Sequence, residues 1–161
     1  MRAVVSRIEP ADCAARREDG IIAQALAILH RRIKQGPLMD SPKAVRDFLA
    51  CHAAKSPDAE VFTVMFLDSQ HQLIECRDMF NGTLSQCSVY PRELARTALE
   101  LNASAVILSH NHPSGSAAPS RADQDLTRRI KQVLELVDVR TLDHIITAGG
   151  ESQSMSEIGL M

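Results

Sequence analysis

Ile107-Leu108-Ser109-His110-Asn111-His112-Pro113-Ser114-Gly115-Ser116-Ala117-Ala118-Pro119-Ser120-Arg121-Ala122-Asp123 is the stretch on which the rest of the chain turns. An apolar run, Ala105-Val106-Ile107-Leu108, leads into it and reads as a strand. Side chains alternate along a strand, so His110 and His112 point to the same side. Pro, Ser, Gly and Ala then make a loop, and Ser120 opens a helical pattern whose first turn carries Asp123. A carboxylate there can swing back over the loop toward the two imidazoles. Three N/O ligands with a fourth position left for water is the arrangement of a catalytic zinc site, whereas structural zinc sites are closed with four ligands.

Each part also has an ordinary reading. His-x-His pairs are common in solvated loops. Ser120-x-x-Asp123 is a capping box with Asp in the Glu position, an ordinary helix start. Pro113, Gly115 and Pro119 serve as turn residues. Their combination, strand, His-x-His, turn-rich loop and Ser-x-x-Asp at a helix entry, favours a metal site over the separate readings.

H-x-H, seven residues, then S-x-x-D resembles the JAMM motif of the JAB/MPN metalloprotease fold. The longer string His110-Asn111-His112-Pro113-Ser114-Gly115, with Pro119-Ser120-x-x-Asp123 after it, is similar to the RadC family in particular. The likeness extends to Phe80-x-Gly82-Thr83, Pro91-Arg92-Glu93 and Asp143-His144-Ile145-Ile146, and covers about residues 40 to 161. RadC proteins often carry an N-terminal helix-hairpin-helix part. The chain resembles the short, stand-alone form, with residues 1–39 as an arm and helix and 40–161 as the metal-binding domain. The resemblance implies a three-layer αβα fold with a mixed sheet, related in layout to cytidine deaminases.

The resemblance also implies a reaction: hydrolysis of a peptide or isopeptide bond in a peptide or protein substrate, with zinc held by His110, His112 and Asp123. Zinc lowers the pKa of a bound water to about 7. A general base must then take the water's proton. The quoted stretch holds no Glu, which leaves Glu60, Glu75, Glu93, Glu100, Glu151 and Glu157. Glu60 is preferred because it opens the best strand of the chain, and the JAMM family places its catalytic Glu upstream of the histidines at the start of the core. Ser120 matches the motif's serine, whose hydroxyl serves the developing oxyanion. Asp143-His144 reads either as a strand-edge pair or as a pair that orients a ligand. Arg92-Glu93 reads as a helix-start ion pair. His30, His52 and His71 have no motif and read as surface residues. A His₂Asp set also suits Fe, Mn or Co.

Composition limits the alternatives. At 161 residues, 45% hydrophobic and 24% charged, the chain has the length and make-up of one globular domain. It has no Trp and only 3% aromatic residues, a poor supply for stacking single-stranded nucleic acid. The net charge of −2 provides no overall basic field for DNA. Local clusters such as Arg121, Arg128, Arg129 and Lys131 read as solvated helix faces. The family's association with DNA repair therefore has no support in charge or aromatic content. Cys13, Cys51, Cys76 and Cys87 show no C-x-x-C pairing, which fits reduced thiols and a cytoplasmic setting. Ile21 to Leu29 is too short to span a bilayer, and its flanks are not those of a signal peptide. A nucleobase deaminase would need H-x-E and P-C-x-x-C, and neither occurs. The remaining alternative is a non-catalytic module, binding protein or associated with DNA repair, that keeps the metal site. Partners and oligomeric state stay open.

The rest of the chain supplies the elements. Helices are expected over 12–33, from Ser41-Pro42 onward, over 91–102 and over 120–137. The last should present Ala122, Leu126, Ile130, Val133 and Val137. Strands are expected at Val4-Val5, 60–68, 72–80, 85–90, 105–109, 139–147 and 153–156. The run from Glu60 to Asp68 is nearly all apolar and so belongs at the centre of the sheet.

Overall fold

The computed structural model describes residues 36–53, 60–81, 89–113 and 115–161, together with Ile21 and Gln24. The chain divides into two compact units, 1–34 and 35–161. The second is described below. The expected Val4-Val5 strand lies outside the described residues. So do the helix over 12–33, save for helical Ile21 and Gln24, and the strand over 85–90, save for Val89 and Tyr90 in irregular backbone.

Three helices and five strands follow in order: α1 (Pro42–Ala53), β1 (Val61–Leu67), β2 (Leu73–Asn81), α2 (Pro91–Glu100), β3 (Ala105–Asn111), α3 (Arg121–Glu135), β4 (Arg140–Ala148) and β5 (Glu151–Ser154). The strands form one sheet in the order β2-β1-β3-β4-β5. Only β3 and β4 run parallel, joined by the α3 crossover, and the other neighbours are antiparallel. The sheet is therefore mixed, and the fold is α+β. The segment expected over 139–147 is one strand, Arg140–Ala148, and the last strand begins at Glu151, two residues before its expected start. Among the described residues no helix is long and apolar enough to cross a membrane.

Alternation along the two central strands builds a core on each face. Phe62, Val64 and Phe66 of β1, with Val106 and Leu108 of β3, pack against Leu94 and Ala98 of α2 and Ile130 and Leu134 of α3. Met65, Leu67, Ala105 and Ile107 point the other way, against Val45 and Leu49 of α1. This makes three layers, with α1 on one face and α2 and α3 on the other. Burial on both faces explains why β1 reads as a nearly all-apolar run, broken only by Thr63.

One expected face is corrected. On α3, Ala122 is exposed, and the fully buried positions are Thr127, Ile130 and Leu134. The inward stripe includes a polar residue, and its hydroxyl turns out to serve the site.

Candidate metal centre

His110 continues the Val106–Leu108 alternation, so it points to the α2/α3 face at the carboxyl end of β3. It is 2% exposed, against 18% for the His112 side chain, so His110 is the inner and His112 the outer member of the pair. Their Nε2 atoms lie 2.8 Å apart. Asp123 enters from the first turn of α3, with Oδ1 3.1 Å from His110 Nε2 and Oδ2 3.6 Å from His112 Nε2. One ligand atom from each residue lies within 4.8 Å of the others.

The capping-box and metal-ligand readings of Asp123 prove compatible. Oδ2 accepts from the backbone N–H of Ser120 at 2.7 Å, and Ser120 Oγ accepts from the N–H of Asp123 at 3.2 Å. Oδ1 remains turned toward His110. Burial pushes the Asp123 carboxyl upward, whereas the Ser120 N–H and the nearby His110 imidazole favour its charged form, and the group sits well below the usual carboxylate range. The ligand is thus a carboxylate already fixed in place by the helix start.

The outer nitrogens are anchored too. His112 Nδ1 lies 2.8 Å from the carbonyl oxygen of Ser116, which can only accept, so Nδ1 carries the proton and Nε2 offers a lone pair. Gly115, at φ 85°, donates its N–H to His112 O at 3.2 Å, a left-handed conformation that suits glycine and closes the loop under His112. His110 Nδ1 lies 2.8 Å from Nε2 of His144, which is completely buried. Burial, reinforced by the neighbouring His110, lowers the His144 pKa from 6.5 to about 3, so this imidazole is neutral. Phe62 packs on both rings, stacked on His110 at 6.1 Å and edge-on to His144 at 5.5 Å.

These bonds test whether a cation fits. With Nδ1 of each ligand histidine committed outward, two imidazole lone pairs and a carboxylate oxygen converge on one point. A divalent cation placed between them would draw on all three donor atoms. The donor set is the two-imidazole, one-carboxylate type found in catalytic zinc sites, and orienting partners on the far nitrogens are usual around metal-binding histidines. The residues therefore fit a metal.

The other expected residues fall in different places. The β1–β3 register pairs Phe62 with His110. Glu60 stands one residue before β1, so it lies at the end of the sheet where β3 delivers His110 and His112. Ser120 is exposed at the start of α3, beside Asp123. Asp143 and His144 separate in role. His144 reaches His110. Asp143 accepts from the N–H groups of His144 and Ser156 and from Ser154 Oγ, and so shapes the turn after β5. Arg92 and Glu93 form the expected ion pair, and Glu93 also holds Arg96. His52 is not a free surface residue, since its Nε2 lies 2.6 Å from Asp78 Oδ1. Thr127 and Phe62 belong to the site but carry no motif. A threonine inside the apolar stripe of α3, one turn after Asp123, is the sequence signal for the first. Nothing marks the second apart from its place two residues after Glu60.

A groove of about 690 Å³ runs past the outer side of His112, between Arg46 and Asp47 of α1 and the Gly149-Gly150 turn that links β4 to β5.

This fold and site are those of a JAB domain: the chain belongs to the RadC family, whose RadC-like JAB domain matches residues 39–160. Among its relatives, a UPF0758 protein of Methylibium petroleiphilum is 52% identical over 144 residues, covering 87% of this chain and 64% of the relative. A UPF0758 protein of Paracidovorax citrulli is 53% identical over 141 residues, covering 88% and 59% respectively. One from Variovorax paradoxus is 49% identical over 141 residues, covering 88% and 62%. The chain spans about three-fifths of the length of these relatives.

Proposed function

We propose that the chain is a JAMM-type metallohydrolase that cleaves a peptide or isopeptide bond, with zinc as its metal. The observation that carries this reading is the convergence of His110 Nε2, His112 Nε2 and an Asp123 oxygen, with the far side of each imidazole already bonded. When bound there, a divalent cation supplies a water acidified to a pKa of about 7.

The chain's own residues do the rest. Glu60 accepts the proton of the attacking water and returns it to the leaving nitrogen. The other glutamates are worse placed: Glu75 pairs with Arg77, Glu93 and Glu100 with Arg96, and Glu157 with Arg46. Glu151 stands at the far wall of the groove. Ser120 Oγ accepts one bond from the helix, which leaves its hydrogen to donate to the developing oxyanion. The groove of about 690 Å³ beside His112 gives a substrate room next to the proposed metal.

The test is elemental analysis of the purified protein, followed by a screen of peptide and isopeptide substrates with and without chelator. Chelator-sensitive cleavage supports the reading. A fully metal-loaded protein that cleaves nothing would favour the non-catalytic alternative.

A further inference from the structure

We infer that Thr127 and His144 are positioning residues that set the tautomer of His110, so that a hydroxyl on α3 decides which nitrogen of a ligand on β3 is free for the metal. The inference rests on the metal-site reading above and adds two residues that touch neither metal nor substrate.

Thr127 Oγ1 lies 2.6 Å from the backbone oxygen of Asp123, one turn earlier. It also lies 2.6 Å from His144 Nδ1. A hydroxyl has one hydrogen, and a carbonyl oxygen can only accept. The Thr127 hydrogen therefore goes to Asp123 O, the back-bond that helical threonines often make. Met155 Sδ, at 3.7 Å, is a weak competing acceptor. Toward His144 the hydroxyl is thus the acceptor, and Nδ1 of His144 carries the proton. Complete burial disfavours a charge on the His144 ring, so it carries one N–H and its Nε2 is a lone pair. At 2.8 Å from His110 Nδ1 it must accept. His110 then carries its proton on Nδ1 and presents Nε2 as a lone pair beside Asp123.

Each link has one consistent direction, and each lies in the buried interior, where water cannot substitute as a partner. Reversing the first link reverses all of them. With no acceptor at position 127, His144 gains by moving its proton to Nε2 and donating to His110. His110 would then lose its Nδ1 proton and place a hydrogen on Nε2, where the metal should sit. Thr127 also makes its back-bond to the residue that supplies the carboxylate ligand, so two of the three ligands are held through one side chain.

The experiment is a long-range ¹H–¹⁵N correlation of histidine side chains in the zinc-free protein, paired with zinc affinity measured against a competing chelator. In the wild type, His144 should appear with its proton on Nδ1. Thr127→Val has nearly the same shape and no hydroxyl. It should move the His144 proton to Nε2 and weaken zinc binding by about 10–100-fold, the usual cost of losing an orienting partner. Thr127→Ser should restore both. A role in packing alone would lower the melting temperature of Thr127→Val without moving the tautomer. Wild-type His144 protonated on Nε2 would overturn the inference, and so would unchanged zinc affinity in Thr127→Val. If Thr127→Val fails to fold, the wild-type tautomer still decides. Absence of zinc binding by the wild type would instead remove the metal reading, and the tautomer measurement would stand apart from it.

Discussion

The backbone N–H of Val61 donates to Oδ1 of Asn111 at 2.7 Å. The residue between the two ligand histidines thereby ties down the neighbour of Glu60. The strand that carries the proposed base and the strand that carries the ligands are locked together at the mouth of the site. Asn111→Ala should leave metal content unchanged and cost about 1 kcal/mol of stability, the net worth of one hydrogen bond. Turnover should fall while substrate binding persists, because Glu60 loses its fixed distance to the ligands. Metal analysis, thermal melts and steady-state kinetics separate these effects. Wild-type turnover would show that Glu60 does not depend on this anchor.

One divalent metal per chain is expected, and His110→Ala, His112→Ala and Asp123→Ala should each lose most of it. Zinc at about 100 times its Kd should stabilise the folded protein by about 2.7 kcal/mol. Full occupancy in His112→Ala would refute the assignment.

Glu60→Gln distinguishes base from ligand. The amide is nearly isosteric and can still hydrogen-bond the water, but it cannot take the proton. Metal content and fold should be kept, and turnover should drop by about 10²–10⁴-fold. Lost metal would make Glu60 a ligand. Unchanged turnover would move the base to another glutamate, with Glu93 and Glu151 next in line.

Ser120 has two proposed duties that two variants can part. Ser120→Ala removes the cap and the hydroxyl, so it should cost about 1 kcal/mol of stability as well as about 10²–10³-fold in turnover. Ser120→Gly caps nearly as well, losing only a few tenths of a kcal/mol, yet it should show the same loss of turnover. Recovery of activity in Ser120→Gly would reduce Ser120 to a cap.

The zinc-free protein should lose stability on the acid side in two overlapping ranges. The His144 pKa falls from 6.5 to about 3 on folding, chiefly through burial. Above pH 6.5 it is neutral in both states and contributes nothing to pH dependence. Below 6.5 the unfolded chain binds a proton that the folded chain refuses, so stability declines as the pH drops toward about 3. Asp123 is depressed below its usual 3.8 despite burial, because the Ser120 N–H and the nearby His110 imidazole favour its charged form. Its contribution is present above 3.8 and is lost as the pH falls further. Urea midpoints of the chelated protein across this range should show the decline. His144→Gln, which cannot charge, should flatten the portion between pH 6.5 and 3, and a curve parallel to the wild type would contradict the neutral imidazole.

The sequence by itself marked most of the described elements and the candidate ligands. The apolar run Ala105-Val106-Ile107-Leu108 marked β3, the long apolar run marked β1 as central, and the spacing from His110 to Asp123 named the candidate ligand set, because local patterning and turn chemistry are written in consecutive residues. It left Asp123 with two readings that the structure shows to hold together, one oxygen capping Ser120 and the other facing His110. Only the tertiary structure decided which residues stand behind the ligands. Thr127 sits in an apolar stripe, Phe62 is a strand residue of no special pattern, and His144 had equal claim to a strand edge. They meet because the β3–β4 pairing sets His144 beside Leu108 and the α3 crossover lays Thr127 over it. Contacts between side chains far apart in the chain depend on register and packing, which no local window contains. Burial then makes them consequential: away from water, the hydrogens among Thr127, His144 and His110 can bond only to one another's partners and to the carbonyl and sulfur beside them.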